Sequence, residues 1–288
     1  MPRKGLETND KGDHTRGAEK QDRSLLVTGT KSGVGNAVHA ALGGVAVTRQ
    51  TNLASVRPPD GEPYDAIIHC AVNTTKMVTL STAYSYLEDN VLLTQELLRI
   101  PHRRFVYISS VDLYPRLDHP ARPDDEADIA ELSGLYTYSK LFSDVLVQRF
   151  ANRPLILRPT TLLGPVMRPN STYRILTQPH CRLFLSARSR FNYVLHSDVV
   201  QLIDQALRAD IAGTFNVASS TPVLLADVVG ELGLSVEFGS YDYNVGSIDQ
   251  TPASTLNPAF ARPSWQTLNA FIEQLGPLFV GRGRLRGQ

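Results

Sequence analysis

Tyr136 and Lys140 stand four residues apart in the stretch Tyr136-Thr137-Tyr138-Ser139-Lys140. At the start of a helical segment, that spacing puts both side chains on one face, a single turn apart. A free phenol titrates at about 10 and is a poor base at neutral pH. A neighbouring ammonium favours the phenolate and lowers that value, so the pair suits acid and base chemistry with the lysine as electrostatic tuner. Tyr138 lacks this spacing to Lys140 and is set aside. Tyrosine and lysine four apart are also commonplace on solvated helix faces, so their meaning depends on what the rest of the chain brings to them.

The first contribution comes early. Ser24-Leu25-Leu26-Val27-Thr28-Gly29 is a short apolar run ending at glycine, the pattern of a strand buried on both faces. Thr30-Lys31-Ser32-Gly33-Val34-Gly35 follows, and Asn36 to Leu42 is small and apolar enough for a helix packed close to a sheet. A dinucleotide pyrophosphate must approach backbone N–H groups at a helix N-terminus, and Gly29, Gly33 and Gly35 remove the side chains that would block it. The second strand is expected over Val45 to Thr48. An acid near its end suits the adenosine ribose of NAD, whereas a basic residue suits the additional phosphate of NADP. The chain offers Thr48-Arg49 and no acid, so Arg49 tilts the expected cofactor toward NADP over NAD.

Further elements must position these groups. Pro58, Pro59 and Gly61 break the segment Gln50 to Pro63, so the second helix and third strand of a dinucleotide fold are cut down here. Tyr64 to Ala71 is a buried strand, and a helix runs from about Ser81 to Ile100. Arg104 to Ser110 is a strand that ends in two hydroxyls, at the edge where an open parallel sheet binds its ligands. An acidic, proline-bearing loop leads from Val111 to Leu135, the Tyr136 helix continues through Phe150, and Pro154 to Pro159 is another strand. Val166 to Asn192 is irregular and rich in Arg and Pro, as expected of a lobe covering a substrate. Tyr193 to His196 is expected to return to the sheet, Ser197-Asp198 to cap a helix ending near Ala209, and Thr214 to Ala218 to form a strand. A helix near Leu225 to Leu232, a strand near Val236 and a helix near Trp265 to Leu275 follow.

Alternating strand and helix patterns define an α/β chain with a doubly wound parallel sheet, a Rossmann fold, and a small C-terminal substrate-binding lobe. The expected division is a disordered leader over 1–23, a dinucleotide-binding domain over 24–165 joined by 193–218, a lobe over 166–192 and 219–279, and a loose tail over 280–288. The 288 residues are 42% apolar and 20% charged with a formal net charge of +1, which argues against nucleic acid or an anionic membrane as partner. No stretch approaches the length of a spanning helix. Cys70 and Cys181 are far apart and carry no metal-ligand spacing, so neither a disulfide framework nor a metal site is expected, and a reducing cytoplasm is the simplest compartment. His69 and His196 read as packing residues at strand ends and Asp198 as a helix cap.

Together these segments resemble the extended branch of the short-chain dehydrogenase/reductase superfamily, the NAD(P)-dependent sugar epimerases, dehydratases and reductases. The resemblance runs from about Leu25 to Asn216 and more faintly to Leu275. Ser109-Ser110-Val111-Asp112-Leu113-Tyr114-Pro115 is similar to the family's Ser-Ser-x-x-Val-Tyr-Gly, and Arg158-Pro159 through Gly164-Pro165 to its Arg-Pro-x-x-x-x-Gly-Pro. Tyr193 to Asp198 is similar to its Phe-Val-His-Val-Asp-Asp. The resemblance implies that Tyr136, Lys140, Ser110 and Asn90 are the catalytic set. Gly29, Thr30, Lys31, Gly33, Val34, Gly35, Arg49, Cys70, Ala71, Lys140 and Pro159 would hold the cofactor. Ser110, Asp112, Tyr136 and Arg190 would meet the substrate, Arg190 as one of a basic run with Arg168, Arg174, Arg182 and Arg188 suited to phosphate.

Three departures qualify it. The glycine spacing is that of the classical branch, the lobe segment is short, and Val111-Asp112 stands where sugar dehydratases carry Asp-Glu, which disfavours loss of water. What the resemblance implies is hydride transfer at a carbinol or ketone carbon of a nucleotide sugar or related small molecule, giving reduction or epimerisation. The alternatives are an NADPH-dependent reductase of a non-sugar carbonyl and a non-catalytic dinucleotide sensor or scaffold. Family members often dimerise through the Tyr136 helix, and Leu141, Phe142, Val145 and Leu146 are compatible with a homodimer.

Overall fold

The computed structural model of the protein describes residues 23–115, 119–127, 129–132 and 134–286. Apart from Arg23, the leader expected to be disordered lies outside them; Arg23 itself pairs with Asp204 at 2.9 Å. The chain opens with β1 (Leu25–Thr28), α1 (Gly33–Leu42) and β2 (Val45–Val47). It continues through β3 (Ala66–His69), α2 (Leu80–Leu87), a π-helical turn over Glu88–Leu92, α3 (Leu93–Leu98) and β4 (Phe105–Ile108). The Tyr136 helix is α4 (Gly134–Phe150), followed by β5 (Pro154–Pro159). Between β2 and β3 stand only single 3-10 turns at Leu53–Ser55 and Pro59–Gly61, as the prolines there predict.

Six parallel strands form the main sheet in the order β10-β5-β4-β3-β1-β2, where β10 is Gly213–Val217. Every residue of β1, β3 and β4 is buried, because helices cover both faces. Alternation along the strands divides the core. Leu25, Val27, Ile68 and Val106 face one cluster, with Val34 and Val38 of α1, whereas Leu26, Ile67, Phe105 and Tyr107 face another, with Leu97 of α3 and Val147 of α4.

After β5 come β6 (Thr161–Leu163), α5 (Ser171–Thr177), β7 (Cys181–Arg182), β8 (Arg190–Phe191), β9 (Tyr193–Leu195) and α6 (His196–Arg208). Beyond β10 lie β11 (Val223–Leu224), α7 (Leu225–Glu231), β12 (Val236–Glu237), α8 (Thr251–Leu256) and α9 (Ser264–Leu275). The lobe has its own core, in which Ile175, Leu176, Phe191, Tyr193, Leu225 and Phe271 are buried.

Several expectations change here. The segment read as irregular contains α5, started by Asn170, whose side chain accepts from the N–H of Tyr173 at 2.9 Å. β9 does not return to the main sheet; it pairs with β6 in a separate two-stranded sheet, with Tyr193 and Leu195 in the lobe core and Val194 in the core of the main sheet. Ala253 of α8 and Phe260 after it pack on the main sheet's core instead of within the lobe. The N-cap position of α6 is Leu195 and not Asp198, which sits in the first turn, accepts a hydrogen bond from the Leu195 N–H and pairs with Arg262. Residues 280–286 are not loose, because Leu285 is buried in the lobe core and exchanges two backbone hydrogen bonds with the Asn269 side chain, at 2.9 and 3.0 Å.

Candidate active site

A cavity of about 1940 Å³ runs along the carboxyl ends of β1 to β5 and is walled on its far side by the lobe. At one end is the glycine turn. Thr28 to Val34 line the cavity, with Gly29 at φ +73° and Gly33 at φ +65° in the left-handed region. A Cβ on Gly35 would lie 2.5 Å from the Gly29 carbonyl oxygen, so α1 can approach β1 only with glycine there. A Cβ on Gly33 would meet nothing within 4 Å and would project into open space at the mouth of α1. Bare backbone at a helix N-terminus, opened by glycine toward a large cavity, fits the diphosphate of a dinucleotide. The Gly33 N–H is also engaged by the Val166 carbonyl at 2.8 Å, which ties the lobe strand's exit to the turn.

The ends of β1 and β3 are fixed to each other. Thr28 Oγ1 accepts from the N–H groups of Cys70 and Ala71 at 3.1 and 3.0 Å and contacts His69 Nδ1 at 2.8 Å. His69 Nε2 is 3.0 Å from Thr94 Oγ1, so the imidazole is satisfied on both sides, and burial pushes its pKa down to about 3. The Cys70 thiol lines the cavity but is pushed up to about 12 by burial, which leaves it unreactive.

At the other end of the cavity lie Ser109, Ser110, Asp112, Tyr136, Lys140 and Pro159. Ser110 Oγ donates to Asp112 Oδ2 and accepts from the Asp112 N–H, both at 3.2 Å, forming a tight turn after β4. Asp112 opens onto the cavity; its carboxyl is raised by burial against hydrogen bonds from Ser110 and Tyr243 that favour the ionised form. Tyr136 is raised as well, by burial and then by Asp112, with the Ser110 hydroxyl opposing. This reverses the depression expected from Lys140. The physical reason is burial, with the Asp112 charge beside it; the Lys140 ammonium is engaged elsewhere, Nζ donating to the Ile108 carbonyl at 2.6 Å and lying 4.8 Å from the centre of the Tyr107 ring. Burial brings Lys140 itself down to about 8, with Asp144 one turn further along α4 holding it up. Asp144 is in turn locked to Arg158 of β5 at 2.8 Å, a buried pair joining the helix that carries Tyr136 to the sheet.

Asn90 is not part of the cavity wall. Its side chain is spent on the backbone of Asn73, accepting from the N–H at 2.6 Å and donating to the carbonyl at 3.0 Å, while its own carbonyl accepts from Ser143 of α4 at 2.7 Å. It is a positioning residue inside the π-helical turn. Arg190 also lies off the cavity wall, which among the basic run includes Arg168, reaching Ser32, Val72 and Thr74 at 3.3 to 3.4 Å. Arg49 lies on the wall, where Asp89 pairs with it through two bonds, so its guanidinium faces a carboxylate. Residues the sequence reading missed are Phe191, Tyr241 and Tyr243 on the lobe wall, and Asp89 on the opposite side. Phe191 packs against Tyr243 with ring centres 4.8 Å apart, and the Tyr243 hydroxyl donates to Asp112 across the cavity at 3.4 Å. Their aromatic character within an otherwise loop-like stretch was the available signal.

A doubly wound parallel sheet with a glycine turn after its first strand and a long cavity along its carboxyl edge defines a dinucleotide-binding class of α/β protein. The model of the NAD dependent epimerase/dehydratase family matches residues 25–218, and the chain belongs to that family. A comparison with curated proteins returned no match. Among solved structures, MoeE5 in complex with UDP-glucuronic acid and NAD is similar at 21% identity and a TM-score of 0.70, covering 87% of this chain and 98% of that one. UDP-glucuronic acid 4-epimerase from Bacillus cereus, with UDP-glucuronic acid and NAD, is similar at 16% identity and a TM-score of 0.68, covering 88% and 99%. RMD from Pseudomonas aeruginosa, complexed with NADPH, is similar at 19% identity and a TM-score of 0.67, covering 87% and 98%. At these identities the likeness is one of fold. Among the described residues no helix is long and apolar enough to cross a membrane, and no cluster of potential metal ligands occurs.

Proposed function

We propose that the chain is an NAD(P)-dependent oxidoreductase or epimerase that acts on a nucleotide sugar or a related carbinol or ketone. The observation that carries this is continuity: Ser110, Asp112, Tyr136 and Lys140 line the same cavity as the glycine turn. The nucleotide sugars bound by structures of the same fold support the choice of substrate class. Gly29, Gly33, Val34 and Lys140 would hold the dinucleotide, which when bound would supply the hydride acceptor or donor. Tyr136 takes the proton of a substrate hydroxyl on oxidation and returns it to the developing alkoxide on reduction. Ser110 holds the reacting oxygen by a hydrogen bond, and the Lys140 ammonium offsets charge at the sheet edge. Epimerisation runs the two directions in turn, with the ketone turned over between them.

A panel of nucleotide sugars offered with NAD, NADH, NADP and NADPH tests this by nicotinamide absorbance and product identification. Turnover of a nucleotide sugar is expected; dinucleotide binding with no turnover of any sugar or simple carbonyl would favour the sensor reading. Pairing of two copies is supported by Leu135, Tyr138, Phe142 and Val145, exposed at three- and four-residue spacing along one side of α4.

A further inference from the structure

The end of β2 carries no acid, yet a carboxylate stands there. Thr48, Arg49, Thr51 and Leu53 line the cavity after β2, and the π-helical turn brings Glu88 and Asp89 to the same wall. Asp89 Oδ1 accepts from Arg49 Nε at 3.2 Å and Oδ2 accepts from Arg49 Nη2 at 2.5 Å. Asp89 Oδ2 also accepts from Asn73 Nδ2 at 2.8 Å, and Asn73 is itself clamped by Asn90. The two members of the ion pair differ in freedom. The Arg49 side chain is 76% exposed, whereas that of Asp89 is 23% exposed and anchored from behind. The carboxylate is the fixed member and the guanidinium the adjustable one.

Resting on the reading of the cavity as a dinucleotide site, we infer that Asp89 replaces the acid missing from β2 and makes the protein selective for NAD over NADP. A carboxylate offers about four acceptor positions, of which Arg49 and Asn73 take three, leaving one for a ribose hydroxyl. A 2′-phosphate meets the opposite situation. The guanidinium that would bind it already faces a carboxylate, and swinging Arg49 outward leaves a dianion beside Asp89 and Glu88, like charges in one place. The device joins residues forty positions apart and reverses the preference that Arg49 alone implies.

Calorimetric titration of NAD and NADP into the wild type, Asp89→Asn, Arg49→Ala and the double variant tests it. The wild type should bind NAD at least about tenfold more tightly than NADP, a difference of about 1.4 kcal/mol. Asp89→Asn keeps an acceptor for Asn73, removes the charge and frees Arg49, so it should narrow or invert that ratio by about tenfold or more. Adding Arg49→Ala should remove the gain in NADP affinity, and Arg49→Ala alone should leave NAD preferred. A wild type that binds NADP as tightly as NAD assigns the phosphate to Lys31 or Lys76 of the same wall and overturns the inference. So does an unchanged ratio in Asp89→Asn. Failure of both dinucleotides to bind the wild type overturns the proposed function and this inference with it, whereas binding with the wrong ratio overturns this inference alone.

Discussion

The two walls of the cavity are built by different means. On the sheet side the shape is set by close backbone approach and by buried ties: glycines where α1 meets β1, strand ends tied through the Thr28 hydroxyl, and α4 locked to β5 by Asp144 and Arg158. On the lobe side much of the shape comes from aromatic side chains, with Phe191, Tyr241 and Tyr243 brought in from separate segments and Tyr243 bonded across to Asp112. A wall held by backbone tolerates no added atom at its tightest points. One made of side chains gives way locally, so substitutions on the two sides should differ in both size and kind.

Gly35→Ala should have the largest effect. Its Cβ meets the Gly29 carbonyl, which can move only by opening the turn, and dinucleotide binding should fall more than about a hundredfold in a titration. Asp144→Ala leaves the Arg158 charge buried without its partner; denaturant unfolding should show a loss of about 3–5 kcal/mol. His69 tests the sheet side by pH. Its folded pKa of about 3 lies below the unfolded value, so the stability it contributes is full above about 6.5 and is lost as pH falls toward 3. Replacement by Asn should flatten that acid limb by on the order of 1 kcal/mol per pH unit. Tyr243→Phe should be the mildest, raising substrate KM a few-fold with unfolding stability changed by less than about 1 kcal/mol. A Tyr243→Phe variant that unfolded as readily as Asp144→Ala would erase the distinction between the walls.

The same division sets how much was legible in the sequence. β1, β3, β4 and β5 are short apolar runs ending at small or hydroxyl residues, and their burial on both faces follows from local pattern. The glycine turn and the Tyr136 helix are equally local. What escaped depends on distant partners: β9 pairs with β6 and not with the main sheet, Leu285 returns to the lobe core, and Asp89 reaches Arg49 from the π-helical turn. Lys140 shows the limit most clearly, since spacing placed it beside Tyr136 but only the fold shows its ammonium turned to the Ile108 carbonyl.

Tyr136 carries the central claim, and the most direct test compares Tyr136→Phe with the wild type in two measurements on the same preparation, dinucleotide affinity and turnover of the nucleotide sugar identified in the panel. The account predicts unchanged dinucleotide affinity with turnover reduced by about 10²–10⁴. Turnover retained near the wild-type rate would remove Tyr136 from the chemistry and contradict it.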